Sequence, residues 1–306
     1  MSRGGEFVGV NWGSTNFRAY RIDAAGALID TYDSPAGVTK LDRAGIAAQM
    51  AALAERWPTH GPIYASGMIT SNIGWVELPY VEAPAGIAEL AAAAQTVAIG
   101  TVDVTLMPGI ACRRAMDDAP DVLRGEDVEL AGFAAMTEER TGYVALPGTH
   151  TKWVRLEDGR VAEFATAMSG EIYDRLAANG LLASVIEGEA TDGDAFAAGV
   201  ALGADRKLGL GNLLFGVRAR VVRGELARRD AASFARGILI GSEIADALAL
   251  YPDLRDRAVP LIGASAVTSL YAAGLARLGI VTAPVESSRA CIQGYHALHA
   301  HFSGAS

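Results

Sequence analysis

Cysteine is nearly absent from this 306-residue chain. Cys112 and Cys291 lie far apart, in no CxxC or Cys/His spacing. That argues against a disulfide framework or a spaced zinc site, and for two reduced thiols. The opening MSRGGEFVGV has no long apolar run behind its one basic residue, so it does not read as a signal peptide. No window reaches ~18 uninterrupted apolar residues, so no membrane span is expected. Positive charge is also short: 26 Lys+Arg against 35 Asp+Glu leave a net charge of -9. This is a poor fit to nucleic acid or an anionic membrane. An anionic substrate would have to be held by local cations. Lysine itself occurs only at positions 40, 152 and 207. A cytoplasmic location is the expectation.

What remains is ordinary globular material, 51% hydrophobic and 20% charged. The length is about twice the ~150 residues of a typical domain, which favours two domains. Residues 6–33 read as three short strands. Phe7 to Trp12 is followed by the turn Gly13-Ser14-Thr15-Asn16, then by Phe17 to Ile22, a second turn, and Ala27 to Tyr32. Ile46, Met50, Leu53 and Trp57 fall at helical spacing. The same plan recurs at 142–167, with Gly148-Thr149-His150-Thr151-Lys152 in the place of the first turn. Helices are expected at 170–187, 192–205, 212–225, 230–251, 265–278 and 287–302, with strands at 259–263 and 281–285. The pattern implies α/β layering in two domains, 1–140 and 141–306, with a hinge near 138–143.

Four segments carry candidate chemistry. Gly13, Ser14, Thr15 and Asn16 combine small residues with hydroxyls in a β-turn-β setting, as a phosphate turn requires; an ordinary hairpin turn is the competing reading. Gly148, Thr149 and Lys152 repeat those ingredients and add a cation. His150 is read as a structural turn residue. Arg124-Gly125-Glu126-Asp127 places two carboxylates at a helix start. Helix capping explains that, and so does a general base acting on a sugar hydroxyl. Gly263, Ala264 and Ser265 close a strand and open a helix, where a base or ribose could lie on the backbone. Ser66-Gly67-Met68 with Asn72, Trp75 and Tyr80 suits a polyol-binding wall or an irregular surface loop. Gly209-Leu210-Gly211-Asn212 with Gly216 fails the GxGxxG spacing and is discounted as a dinucleotide site.

Taken in order, these segments resemble the actin/hexokinase/Hsp70 superfamily, and within it the 2-dehydro-3-deoxygalactonokinase (2-keto-3-deoxy-galactonate kinase) family. The resemblance rests on Asn11-Trp12-Gly13-Ser14-Thr15-Asn16-Phe17-Arg18, Ala36-Gly37-Val38-Thr39, Gly67-Met68, Gly74-Trp75 and Pro79-Tyr80. It continues through Pro108-Gly109-Ile110, Arg124 to Asp127, Pro147 to Val154, Met168-Ser169-Gly170-Glu171, Phe215, Val217-Arg218 and Gly263-Ala264-Ser265. It implies two RNase H-like (actin-like ATPase) domains facing across a nucleotide cleft. It also implies ATP-dependent, Mg2+-assisted phosphorylation of 2-dehydro-3-deoxy-D-galactonate at its 6-hydroxyl, in galactonate breakdown. Both Gly-Ser/Thr turns would hold the phosphates and the Gly263–Ser265 segment the adenosine. Glu126 is the expected base, with Asp127 second. Arg18, Arg124 and Lys152 are candidates for the substrate carboxylate, and Asn72 and Trp75 for the polyol wall. The superfamily usually has Asp at the position of Asn11, where it organises Mg2+ through water; the amide keeps an oxygen but lacks the charge. The gluconate epimer as substrate, a catalytically weak or non-enzymatic ATP-binding relative, and a sugar-sensing regulator are alternatives. The missing helix-turn-helix segment and basic face speak against the regulator. A homodimer is compatible with the sequence.

Overall fold

The computed structural model describes residues 5–304; residues 1–4 and 305–306, the outer ends of the two expected halves, lie outside it. The opening apolar runs form β1 (Phe7–Trp12), β2 (Phe17–Ile22) and β3 (Leu28–Ser34), paired antiparallel. Next comes α1 (Arg43–Arg56), started by the Asp42 carboxylate, which accepts from the Gly45 amide at 2.8 Å. The chain continues through β4 (Ile63–Gly67), β5 (Val81–Glu82), α2 (Ile87–Ala92), β6 (Gln95–Ile99), β7 (Val102–Leu106), β8 (Ile110–Arg113), β9 (Pro120–Leu123) and α3 (Glu126–Met136). The repeat follows as β10 (Gly142–Leu146), β11 (Thr151–Glu157) and β12 (Arg160–Ala167). After it come α4 (Ser169–Ala178), α5 (Asp194–Ala204), α6 (Leu210–Val222), α7 (Arg228–Leu250), β13 (Val259–Gly263), α8 (Ser265–Arg277), β14 (Thr282–Glu286) and α9 (Ser287–Phe302).

One sheet has the order β3-β2-β1-β4-β7-β6 and another β12-β11-β10-β13-β14; β5-β8-β9 make a small third sheet. β1 runs parallel to β4, and β10 parallel to β13. Each large sheet thus starts with a three-strand meander whose first strand takes a parallel neighbour from further along the chain. That shared order is the structural form of the internal repeat. Contacts divide the chain into two compact units. The first is Met1–Thr141 with Arg155–Phe164 and Ser287–Ser306; the second is Gly142–Val154 with Ala165–Glu286. The main crossing falls between Thr141 and Gly142. The C-terminal helix α9, assigned on sequence to the second half, counts with the first unit.

The reason lies in packing on β1. Along β1 and β2, Val8, Val10, Trp12, Phe17 and Ala19 face the cluster built with Ile46, Met50 and Leu53 of α1. The alternate residues Phe7, Tyr20 and Ile22 face Cys291, Ile292, Tyr295 and Leu298 of α9. A Cβ on Gly9 would lie 2.2 Å from the Tyr295 ring, and the Tyr295 hydroxyl donates to the Val10 carbonyl at 2.6 Å. Ile63 to Gly67 of β4 are buried at every position. Such a strand shows no alternation, so it is invisible to a period-2 reading. Helix α4 stops at Ala178 rather than running to 187, because Asn179 is extended and Gly180 turns left-handed (φ 93°). Both cysteines are buried free thiols.

In the second unit α5 and α7 touch backbone to backbone. A Cβ on Gly199 would meet the Phe234 carbonyl at 2.3 Å, and one on Gly237 would meet the Phe196 carbonyl at 2.3 Å. Gly211 in α6 has nothing within 4 Å of that position. The same substitution should therefore have opposite signs at two helical sites. Gly237→Ala should cost about 2 kcal/mol or more through overpacking, whereas Gly211→Ala should gain up to about 1 kcal/mol of helix propensity. Urea unfolding of the two variants checks this; equal effects would contradict the packing.

Candidate active site

The first turn is held by its carbonyls. Gly13 N–H donates to the Asn16 carbonyl at 2.9 Å, and the carbonyls of Gly13, Ser14 and Thr15 accept the amides of Val38, Thr39 and Gly37. The Lys40 ammonium adds a bond to Thr15 O at 3.1 Å, and the Trp12 indole N–H anchors the Ala36 carbonyl at 2.8 Å. Among the described residues the Ser14 and Thr15 amides make no backbone hydrogen bond, so their donors remain for a ligand. Gly37 makes this possible: a Cβ there would lie 2.2–2.3 Å from Thr15 and Ser14 backbone atoms.

Helix α3 begins where β1 and β4 end. Gly125, with φ 105°, turns the chain into the helix, and a Cβ on it would lie 3.3 Å from the Gly67 Cα. The two carboxylates after it differ sharply. Glu126 is half-buried and accepts the Arg124 amide at 3.1 Å. Asp127 is 1% exposed; its Oδ2 accepts the Gly125 amide at 2.7 Å, while its buried Oδ1 has no partner. Burial, opposed by the Gly125 hydrogen bond and reinforced by the neighbouring Glu126 charge, raises its pKa to about 7.

One helical turn further on, Glu129 is a residue the sequence reading missed. It accepts from the Ser287 hydroxyl and, at 3.4 Å, from the Cys291 thiol. Burial pushes it up to about 7 as well. The Asn11 side-chain amide donates to the Cys291 sulfur at 3.6 Å. A carboxylate at position 11 would stand beside that sulfur and close to the Glu129 charge, so the neutral amide suits its surroundings. No group of three or more His, Cys, Asp or Glu among the described residues could hold a metal ion.

The second turn has the same construction. The Gly148 amide donates to Thr151 Oγ1 at 3.4 Å and the Thr149 carbonyl accepts the Glu171 amide at 3.0 Å. A Cβ on Gly170 would meet the Gly148 carbonyl at 2.4 Å and Thr149 Cα at 2.7 Å. Gly170 thus does for this turn what Gly37 does for the first. Thr149 and His150 are exposed, and the His150 ring bonds Glu171 at 2.6 Å. Lys152 is buried, and its ammonium returns to the His150 carbonyl at 3.0 Å. Gly263 ends β13 with its Cβ position 3.2 Å from the Pro147 carbonyl, and Ala264 and Ser265 open α8 exposed. The second unit therefore brings Gly148, Thr149, Gly263, Ala264 and Ser265 to one end of its sheet.

The sequence profile of the family described as 2-keto-3-deoxy-galactonokinase matches residues 11–298. The chain belongs to this family. A probable 2-dehydro-3-deoxygalactonokinase, DgoK1, of Rhizobium meliloti (strain 1021) is 35% identical over 308 residues, covering 97% of each chain. The 2-dehydro-3-deoxygalactonokinase of Escherichia coli (strain K12) is 31% identical over 279 residues, covering 89% of this chain and 90% of its own. A solved Sinorhizobium meliloti structure described under the same enzyme name superposes with a TM-score of 0.87 at 33% identity, covering 97% of this chain and 99% of its own. The (R)-2-hydroxyglutaryl-CoA dehydratase component A of Acidaminococcus fermentans, at 13% identity and a TM-score of 0.54 over 99% of this chain and 100% of its own, shares the fold. The mixed α/β, two-unit architecture is that of the actin-like ATPase and sugar-kinase folds.

Within this family member the cations expected to meet a substrate carboxylate are already engaged. Arg18, exposed on β2, pairs with Asp33 at 2.5 Å. Arg124 donates to the Thr70 carbonyl and hydroxyl at 2.6 Å each and to the Leu78 carbonyl at 3.0 Å, and stacks over Tyr80 at 4.3 Å. It staples the segment 68–80 to the start of α3. Asn72 is exposed on that segment, and Trp75 is half-buried beneath Arg43 at 3.7 Å. Ser66 and Gly67, by contrast, are the buried end of β4, not a surface loop. Arg124→Met should raise amide exchange of Trp75 and Leu78 by about tenfold or more, since each is closed by one turn bond to a strapped carbonyl segment. Unchanged exchange at both amides would remove Arg124 as the staple.

Proposed function

We propose that the protein is a sugar-acid kinase that transfers the γ-phosphoryl group of ATP to the 6-hydroxyl of 2-dehydro-3-deoxy-D-galactonate, with Asp127 as the base. Family membership supports the substrate. A single observation supports the base: Asp127 is a buried carboxylate at a helix start, with one oxygen anchored and the other without a partner. Its pKa of about 7 leaves a substantial ionised fraction at neutral pH while making it basic enough to take a hydroxyl proton.

The residues present fit a nucleotide. In the first unit Ser14 and Thr15 offer backbone and hydroxyl donors for phosphate; in the second unit, taken by itself, Thr149 offers the same and Gly263, Ala264 and Ser265 offer exposed backbone for the adenosine. ATP supplies the phosphoryl group. A protein-built metal cage does not fit, because Asn11 is neutral and bonded to Cys291; no step is routed through Mg2+, which we assign to the nucleotide phosphates. Asp127 Oδ1 accepts the proton of the 6-hydroxyl as that oxygen bonds to phosphorus. The β–γ bridging bond breaks, and its electron pair leaves with ADP. Glu126 and Arg124 shape the entry to α3. Positioning of the two reactants provides most of the remaining acceleration.

ADP release with 2-dehydro-3-deoxy-D-galactonate, with its gluconate epimer and with no acceptor tests the substrate. Turnover with the galactonate should exceed the acceptor-free rate by roughly 10³-fold or more; ATP hydrolysis indifferent to the acceptor would overturn the reading. Asp127→Asn should lower kcat by about 10²–10⁴-fold, and Glu126→Gln by less than about tenfold. Asp127→Asn should not lower Tm at pH 8, because it removes a buried charge whose raised pKa costs stability above pH 7. A larger loss in Glu126→Gln than in Asp127→Asn would return the base to Glu126. Gly148→Ala meets nothing within 4 Å, so it should leave Tm unchanged and raise the ATP KM about tenfold if phosphate approaches that backbone.

A further inference from the structure

Beneath the second turn lies a carboxylate that the reaction does not use. Glu243, in the middle of α7, is 4% exposed. Its Oε1 accepts the Trp153 indole N–H at 2.9 Å. Its Oε2 accepts the Tyr271 hydroxyl at 2.9 Å and the Ser169 hydroxyl. Tyr271 in turn lies 2.8 Å from Thr151 Oγ1 and 2.9 Å from Ser169 Oγ. Thr151 Oγ1 receives the Gly148 amide. Burial raises the Glu243 pKa, and the hydroxyl and indole donors oppose that rise.

A carboxylate only accepts, so the Tyr271 and Ser169 hydroxyls both donate to it, and the 2.9 Å Ser169–Tyr271 contact carries no proton of its own. Tyr271 gives its proton to Glu243, which leaves its oxygen to accept in the bond with Thr151. The Thr151 oxygen is then left to receive the Gly148 N–H. Ser169, also committed to Glu243, is followed by Gly170, whose backbone touches Gly148 and Thr149. An apolar side chain in this core would avoid the desolvation cost of a buried acid. What the acid adds is one defined orientation for three hydroxyls.

We propose that Glu243 is a positioning residue for the second turn: acting through Tyr271 and Thr151 it sets the Gly148 amide, and acting through Ser169 and Tyr271 it ties the start of α4 and the middle of α8 to that turn. The proposal rests on the nucleotide reading of the turn. Glu243→Gln puts a donor where only an acceptor fits, and should raise the ATP KM about tenfold, the equivalent of one well-placed hydrogen bond. The sugar-acid KM should stay within about twofold. Tyr271→Phe should give the same split and serves if Glu243→Gln fails to fold. Thr151→Val should match it, and Thr151→Ser, which keeps the hydroxyl, should be near native. The double variant Glu243→Gln/Thr151→Val should bind ATP no more weakly than Thr151→Val alone. Gly203→Ala, a helix-packing lesion whose Cβ would meet the Ile238 carbonyl at 2.2 Å, should lower Tm without moving the ATP KM. An unchanged ATP KM in Glu243→Gln and Tyr271→Phe, or fully multiplicative effects in the double variant, would overturn the proposal. If Gly148→Ala also leaves the ATP KM unchanged, the nucleotide reading of the turn fails and the proposal with it.

Discussion

A carboxylate held out of water without a counter-ion needs a rigid surround, and Asp127 sets that demand in the first unit. It accepts a hydrogen bond from Gly125, two residues earlier, in a left-handed conformation that directs the chain into α3. Helix α3 is fixed from behind by α9: a Cβ on Gly132 would lie 1.9 Å from the Ala290 carbonyl, and one on Gly294 would lie 2.0 Å from the Val128 carbonyl. Arg124 fixes the approach to α3 from the other side through Thr70 and Leu78. The fold keeps this acid dry by backbone contact rather than by a paired cation. Its raised pKa is the electrostatic consequence.

The two Gly-Ser/Thr turns show how one local solution is used twice. In each, a carbonyl of the turn accepts an amide from a neighbouring segment, and a glycine in or just before that segment permits backbone-to-backbone approach. Gly37 and Gly170 are therefore positional requirements, not loop filler. The surroundings then diverge. The first turn is braced by a lysine and an indole, the second by a buried hydroxyl network centred on Glu243. Two further acids, the half-buried Glu129 and the buried Glu243, have raised pKa values for the same reason, loss of water.

Much of the fold was legible in the sequence because its strands begin at Gly/Asn/Asp turns and its helices carry 3.6-residue spacing. Both meanders and the helices after Asp194 follow from those rules. Strand β4 does not, since its uniformly buried Ile63 to Gly67 carries no alternation. Neither does the placement of α9, which depends on Tyr295 filling the space left by Gly9. The turns and the acidic helix start were visible as motifs. The ranking of Glu126 over Asp127 was not decidable there, because adjacent carboxylates differ only in which one the helix buries. Arg18, Arg124 and Lys152 stood out by charge alone; their partners Asp33, Thr70 and the His150 carbonyl are tertiary or backbone facts. Glu129 and Glu243 left no sequence signal beyond being acids inside apolar helices.

The dependence of kcat/KM for the sugar acid on pH tests the central claim most directly. Protonated Asp127 cannot take the hydroxyl proton, so activity should be low on the acid side. It should rise tenfold per pH unit and level off through a midpoint near 7. A midpoint near the ordinary carboxylate value of about 4, or a flat profile from pH 5 to 8 (roughly, with ~0.5 pH spacing), would contradict the assignment of this buried acid as the base.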